Sequence, residues 1–207
     1  MRRASWNKLM KKLTRNFYLQ PTVNVARNLL GKIIVRKIDN QMLTGKIVET
    51  EAYVGESDPG CHASRGKTPR TKVMYMKGGH AYVYFIYGMY FCFNVVTEAE
   101  GFPAAVLIRA VEPLTGIEIM QHRRKTIALH NLTNGPGKFC QAFAINKTLN
   151  TVDLLGSVLC IVSSEDSRPF TIDSTSRIGL SNGDDKQWRF YIKNNPFVSK
   201  SKFVIIH

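Results

Sequence analysis

Tyr82-Val83-Tyr84-Phe85-Ile86-Tyr87-Gly88-Met89-Tyr90-Phe91-Cys92 reads as two β-strands folded back on each other at Gly88. A strand from Tyr82 to Ile86 puts Tyr82 and Tyr84 on one face. The glycine marks a sharp reversal, so Tyr87 and Met89 flank the tip of a hairpin. Large side chains at an exposed tip are costly unless they insert into something, and proteins that unstack DNA use such wedges. The plainer alternative is one continuous buried strand with aromatic packing.

Upstream, Gly45-Lys46-Ile47-Val48-Glu49-Thr50-Glu51-Ala52-Tyr53 is the second informative stretch. Period-two alternation puts Ile47, Glu49, Glu51 and Tyr53 on one face. Two carboxylates beside a tyrosine can be the wet side of a sheet, or an acid beside a flat stacking surface. Between the two stretches, residues 55 to 80 are rich in Gly, Pro, Lys and Arg and read as a long functional loop. Its segment from His62 to Lys72 carries Arg65, Lys67, Arg70 and Lys72, with Thr68 and Thr71 between them. Arginine, lysine and hydroxyl donors suit phosphate contacts.

Downstream, Arg109 interrupts the apolar strand Ala104 to Ala110. A charge there needs a partner, and Glu51 is a suitable one. Asn134-Gly135-Pro136-Gly137-Lys138 is a tight loop opening a short helix through Ala144. Lys138 thus stands at a helix start, where backbone N–H groups favour phosphate; a simple glycine turn is the alternative. Elsewhere the pattern gives a short helix between Pro21 and Gly31 and a strand from Ile33, then a turn at Asp39-Asn40. A second strand spans Met42 to Ala52, and further strands Tyr90 to Val96, Ser157 to Val162 and Arg189 to Lys193. Pro113 to about Arg124 reads as a helix, with Leu114, Ile117 and Met120 on one face. This is the pattern of one α+β domain, a curved antiparallel or mixed β-sheet flanked by helices with a protruding β-hairpin.

The chain has 207 residues, a formal charge of +14 and a pI near 9.8. Such an excess points to a polyanion: DNA, RNA or an anionic membrane surface. There is no run of ~18 apolar residues, so no membrane-spanning helix is expected. Cys61, Cys92, Cys140 and Cys160 form no CxxC pair and no zinc spacing with histidine. They read as reduced thiols of an intracellular protein (cytoplasm or nucleoid in a bacterium, nucleus in a eukaryote), and no secretory signal is apparent. Residues 1–16 form a basic arm bearing Arg2, Arg3, Lys8, Lys11, Lys12 and Arg15. It can touch phosphates or be a solvated terminus; Trp6, Leu9 and Leu13 form a weak helical stripe. Residues 17–207 are read as the single domain.

Glu49 to Tyr53, His62 to Thr71 and Tyr82 to Cys92 closely resemble the alkyladenine (3-methyladenine) DNA glycosylases. So do Ile108 to Pro113, Gly135 to Ala142, Arg177-Ile178-Gly179 and Arg189-Phe190-Tyr191. The likeness covers about Phe17 to Ser199 and keeps the family's motif order; it is weakest after Asn150.

The resemblance implies a monofunctional glycosylase for alkylated and deaminated purines in duplex DNA, needing no metal or cofactor and acting as a monomer. It makes Glu51 the general base for a water, Arg109 a second contact to that water and the Ile178 carbonyl a third. Tyr53, His62 and Tyr84 would wall the pocket for the flipped base, and Asn94 would disfavour guanine. Tyr87, with Met89 beside it, would fill the gap in the duplex, and Arg65, Thr68, Arg70 and Lys138 would contact DNA. Two other readings use the same surface: a non-catalytic nucleic-acid-binding module, and a single-strand or RNA binder with the aromatic strands as a stacking platform.

Overall fold

The structure is a computed structural model, described for residues 11–164, 168–180 and 185–199. Eight strands form one sheet: β1 (Ile33–Ile38), β2 (Gln41–Val54), β3 (Ala81–Ile86), β4 (Tyr90–Val96), β5 (Ala104–Thr115), β6 (Leu159–Val162), β7 (Ile172–Thr175) and β8 (Arg189–Ile192). The strand order is β3-β4-β5-β2-β1-β6, with β7 joined through β8 to β2. Every named pair is antiparallel. The long β2 is the spine. Along one edge it pairs β5; along the other its first part pairs β1, and Glu49 to Glu51 pair β8. Among the described residues the result is a curled half-barrel flanked by four helices, α1 (Arg15–Tyr18), α2 (Thr22–Leu29), α3 (Ile117–Arg124) and α4 (Pro136–Ala142).

The core follows from the apolar positions. In α2, Val25, Ala26 and Leu29 are fully buried, the i, i+1, i+4 stripe of an amphipathic helix. Gly31, at φ +80°, turns the chain out of it into β1. Phe139 of α4 packs edge-on against Phe93 of β4 and beside Phe143. Burying such side chains contributes about 1.5–3 kcal/mol each, and this anchors α4 against the base of the hairpin.

Three register shifts interrupt the β2–β5 ladder, and two of them flank Glu49. Ile47 faces Val111 and Glu49 faces Ala110, so Val48 is the extra residue on β2. Glu49 faces Ala110 and Thr50 faces Ile108, so Arg109 is the extra residue on β5. Bulges re-aim side chains, and this one delivers Arg109 between two carboxylates.

The structure corrects several expectations. Pro113 and Leu114 belong to β5, and α3 starts only after Gly116, at φ +81°. Residues 55 to 80 hold two 3-10 turns, His62–Arg65 and Thr71–Tyr75. Strand β7 was not foreseen. Of the basic arm, residues 1–10, including Arg2, Arg3, Trp6, Lys8 and Leu9, lie outside the described residues. The rest is tied to the body: the Lys12 ammonium donates to the carbonyls of Leu155 and Gly156, and Arg15 pairs with Asp153 at 2.6 Å.

Candidate active site

Glu49 and Glu51 are fully buried, so they do not form the wet side of a sheet. Arg109 lies between them, its Nε 3.1 Å from Glu49 Oε1 and its Nη1 3.2 Å from Glu51 Oε1. Glu51 accepts two more hydrogen bonds: Oε1 from the Ile178 N–H at 2.8 Å, and Oε2 from the Tyr53 hydroxyl at 2.7 Å. Glu49 is held from the other side. Its Oε1 accepts from Arg189 Nε at 2.7 Å and Ser199 Oγ at 2.8 Å, and its Oε2 from the Ser199 N–H at 2.7 Å. Two carboxylates and two guanidiniums thus form one buried network, charge-balanced and satisfied by hydrogen bonds, the condition under which buried charge is tolerated.

The protonation preferences follow. Burial alone would lower the pKa of Arg109, but Glu51 and Glu49 outweigh it and raise it, so the guanidinium stays charged. Burial, with the Glu51 charge and hydrogen bond adding to it, pushes Tyr53 well above the ordinary phenol value. Tyr53 therefore remains a donor to Glu51.

Above this network opens a cavity of about 330 Å³. Tyr53, Arg109 and Ile178 line it, while Glu51 sits just behind them with no exposed surface. One wall is aromatic. His62 and Tyr84 meet edge to face at 4.5 Å, and Tyr82 lies 5.1 Å from Tyr84. The Nδ1 of His62 is 3.0 Å from the Tyr82 hydroxyl. His62 is exposed at the surface, but desolvation of its ring against Tyr82 and Tyr84, with the Arg70 charge acting in the same direction, lowers its pKa to about 4 and favours the neutral ring near pH 7. Asn94 lines the cavity too, its side-chain N–H donating to the Tyr82 carbonyl at 3.2 Å.

The hairpin tip stands at the mouth. Tyr87 is 79% exposed and Met89 68%, which excludes a buried continuous strand there. Tyr87 also lines the cavity. The turn has positive φ at both Tyr87 (+52°) and Gly88 (+66°), and the Met89 N–H donates to the Ile86 carbonyl. This is type I′ geometry, with a tyrosine where asparagine is usual.

The structure thus gathers Glu51, Arg109, Tyr53, His62, Tyr84, Asn94, Ile178 and Tyr87 around one cavity, with Met89 at the tip beside it. The proposed DNA contacts lie outside its lining. Arg65 is exposed. Arg70 lies over the Tyr84 ring at 4.9 Å. Thr68 exchanges hydrogen bonds with Thr71 and holds the second 3-10 turn. The Lys138 ammonium donates to the side-chain carbonyls of Asn131 and Asn134. Sequence reasoning missed Tyr90, Cys92 and Met74 in the lining and gave no role to Glu49 or Arg189. It also missed a buried pair, Asp58 and Arg177, whose oxygens and nitrogens meet at 2.6 and 2.7 Å. Tyr90, Cys92, Arg177 and Arg189 stood inside the motifs that carry the resemblance, and Glu49 alternates with Glu51, but no reading of the sequence gave them these places.

Residues 16–196 match the family model of the methylpurine-DNA glycosylases. A relative from Methanocella arvoryzae is 50% identical over 196 residues, covering 92% of this chain and 97% of its own. One from Clostridium acetobutylicum is 46% identical over 203 residues, with 92% and 98% covered. One from Prosthecochloris aestuarii is 47% identical over 193 residues, with 93% of each covered. All three carry the provisional name 3-methyladenine DNA glycosylase. With the matched region spanning the buried acid, the aromatic wall and the hairpin, the chain belongs to the methylpurine-DNA glycosylase family, hydrolases of DNA repair.

Proposed function

We propose that this chain acts as a monomer inside the cell on damaged purines of the 3-methyladenine, hypoxanthine, ethenoadenine and 7-methylguanine class. It flips the nucleotide out of duplex DNA and hydrolyses the N-glycosidic bond with water. The carrying observation is the Glu51 carboxylate, held by Arg109, Tyr53 and the Ile178 N–H directly behind an aromatic-walled cavity. An ionised carboxylate offers about four lone-pair sites. Two donors occupy Oε1 and one occupies Oε2, so Oε2 is the more open acceptor; because Glu51 has no exposed surface, a water delivers its proton there once the lining in front of it gives way on substrate binding. The same charge stabilises the oxocarbenium-like sugar as the base departs.

Flipping costs a few kcal/mol. Stacking of the extruded base on Tyr53 or Tyr84 returns about 1–3 kcal/mol, and an inserted Tyr87 opposes its return. A neutral His62 adds ring surface without repelling a cationic alkylated base. Alkylated cations need no acid to leave; a neutral base such as hypoxanthine takes up a proton as it leaves, balanced by the one the attacking water gives to Glu51, and water so activated needs no metal. No lysine stands among the described residues lining the cavity, which supports water over a Schiff-base nucleophile and hence no strand cleavage. Four free cysteines suit a reducing compartment.

The test uses purified protein in EDTA with duplexes carrying one hypoxanthine or one ethenoadenine, and with methylated genomic DNA. Wild type should release base and leave intact abasic sites. Glu51→Gln should lose about 10²–10⁴-fold, the usual contribution of a positioned general base, and still bind duplex. Binding without release from any substrate would move the function to damage recognition; full release by Glu51→Gln would remove Glu51 as the base.

A further inference from the structure

Asp58 and Arg177 lie outside the acid–arginine network, yet their contacts with the described residues 52–60 bear on it. Their side chains have no exposed surface at the ion pair. Arg177 Nη1 meets Asp58 Oδ2 at 2.6 Å, and Nη2 meets Oδ1 at 2.7 Å, a two-pronged pairing that fixes orientation as well as distance. Asp58 also accepts the N–H groups of Val54 at 3.0 Å and Gly60 at 3.1 Å. Arg177 Nη1 further donates to the Ala52 carbonyl at 2.9 Å. The pair therefore grips the β2 backbone on both sides of Tyr53. The guanidinium lies over the Tyr53 ring at 4.8 Å and over Trp188 at 5.3 Å. Gly60 and Ile178, which the pair holds by hydrogen bond and by chain linkage, both line the cavity.

Two of the three donors to Glu51 depend on this arrangement. The Tyr53 hydroxyl belongs to the ring on which Arg177 is stacked, and the Ile178 N–H follows Arg177 in the chain. Gly60 is fitted to the same pair: a Cβ there would lie 2.7 Å from Arg177 Nη2 and 2.6 Å from Leu180 Cδ1. A buried ion pair gains little net stability over apolar packing, so its presence beside the site is better explained by geometry.

We propose that Asp58 and Arg177 are positioning residues for base excision, a clamp that sets the Tyr53 hydroxyl and the Ile178 N–H on the Glu51 carboxylate. This rests on the glycosylase reading above. Arg177→Lys keeps the charge but loses the planar fork. Gly60→Ala keeps both charges and pushes the guanidinium aside. Each variant is compared with wild type for single-turnover release of hypoxanthine and of methylated bases, for affinity to undamaged duplex, and for thermal unfolding, with rates taken where all are folded.

The clamp predicts a single-turnover rate lowered about 10²-fold in both, as sub-ångström to ångström misplacement of catalytic groups does, while duplex affinity stays at the wild-type value. Wild-type rates in both folded variants would overturn the clamp and leave the glycosylase standing. So would losses that simply follow the folded fraction. A wild type that releases no base would overturn the glycosylase reading, and the clamp with it.

Discussion

Tyr87 sits in a backbone conformation that its side chain disfavours. A non-glycine residue at φ +52° costs on the order of 1 kcal/mol, and nothing in the fold of the hairpin requires a tyrosine there. Asparagine before glycine is the preferred type I′ pair, so Tyr87→Asn should stabilise the protein by several tenths of a kcal/mol and raise its Tm by about 2 °C. Excision should fall in the same variant. If the ring acts as a wedge, the fall is roughly tenfold or more for a well-paired lesion, because unstacking costs a few kcal/mol. It should be much smaller for the same lesion in a mismatch that already opens. Thermal unfolding and excision from the two duplexes check this; equal losses on both would remove the wedge. The exposure of Tyr87 and Met89 was legible from one glycine in an apolar run. The strain was not, because sequence does not report φ.

At the scale of elements, the site is the product of two bulges on neighbouring strands. Without the extra residue at Arg109, β5 would alternate regularly and its guanidinium would not fall between Glu49 and Glu51. Glu49 joins β2, β5 and β8 and the segment ending at Ser199 through Arg109, Arg189 and the Ser199 N–H. Glu49→Gln removes the carboxylate that Arg189 pairs with and leaves Arg109 with Glu51 alone. Breaking a buried pair from one side costs about 3–5 kcal/mol, so Tm should drop by about 10 °C in an unfolding scan; a drop of only a degree or two would mean that Glu49 is dispensable to the network. Periodicity and the glycine turn placed the hairpin, the short α2 and the strand carrying Glu51. They failed where physics is non-local. Pro113 suggested a helix start but lies within β5 opposite Gly45. The Ile172–Thr175 strand is polar and half-buried, with no apolar alternation to read. Asp58 and Arg177 are 119 residues apart in sequence, and only folding shows them as a pair.

For the whole molecule, the question is which of its 29 lysines and arginines are available to DNA. Many of them are committed elsewhere. Lys12 and Arg15 bind the segment 153–156, and Lys46 pairs with Glu112 at 3.1 Å. Arg123 and Arg124 donate to α4 and the loop before it. Arg109, Arg177 and Arg189 are buried in ion pairs. Among the described residues, cations beside the cavity include those of the 62–72 loop and Lys138, whose two asparagine partners orient its ammonium without neutralising it. Each phosphate neutralised changes the slope of log Kobs against log salt by about −0.9. Three contacts, from Arg65, Arg70 and Lys138, therefore predict a slope of about −3, far shallower than the total charge suggests. Arg65→Ala and Lys138→Ala should each make the slope shallower by about 1 and leave single-turnover excision at saturating protein unchanged, since neither side chain lines the cavity. Fluorescence anisotropy with undamaged duplex across a salt series measures this. An unaltered slope in Arg65→Ala would take the loop off the DNA backbone, and a slope several units steeper than −3 in the wild type would mean that residues 1–10 or the body's other cations also reach phosphate.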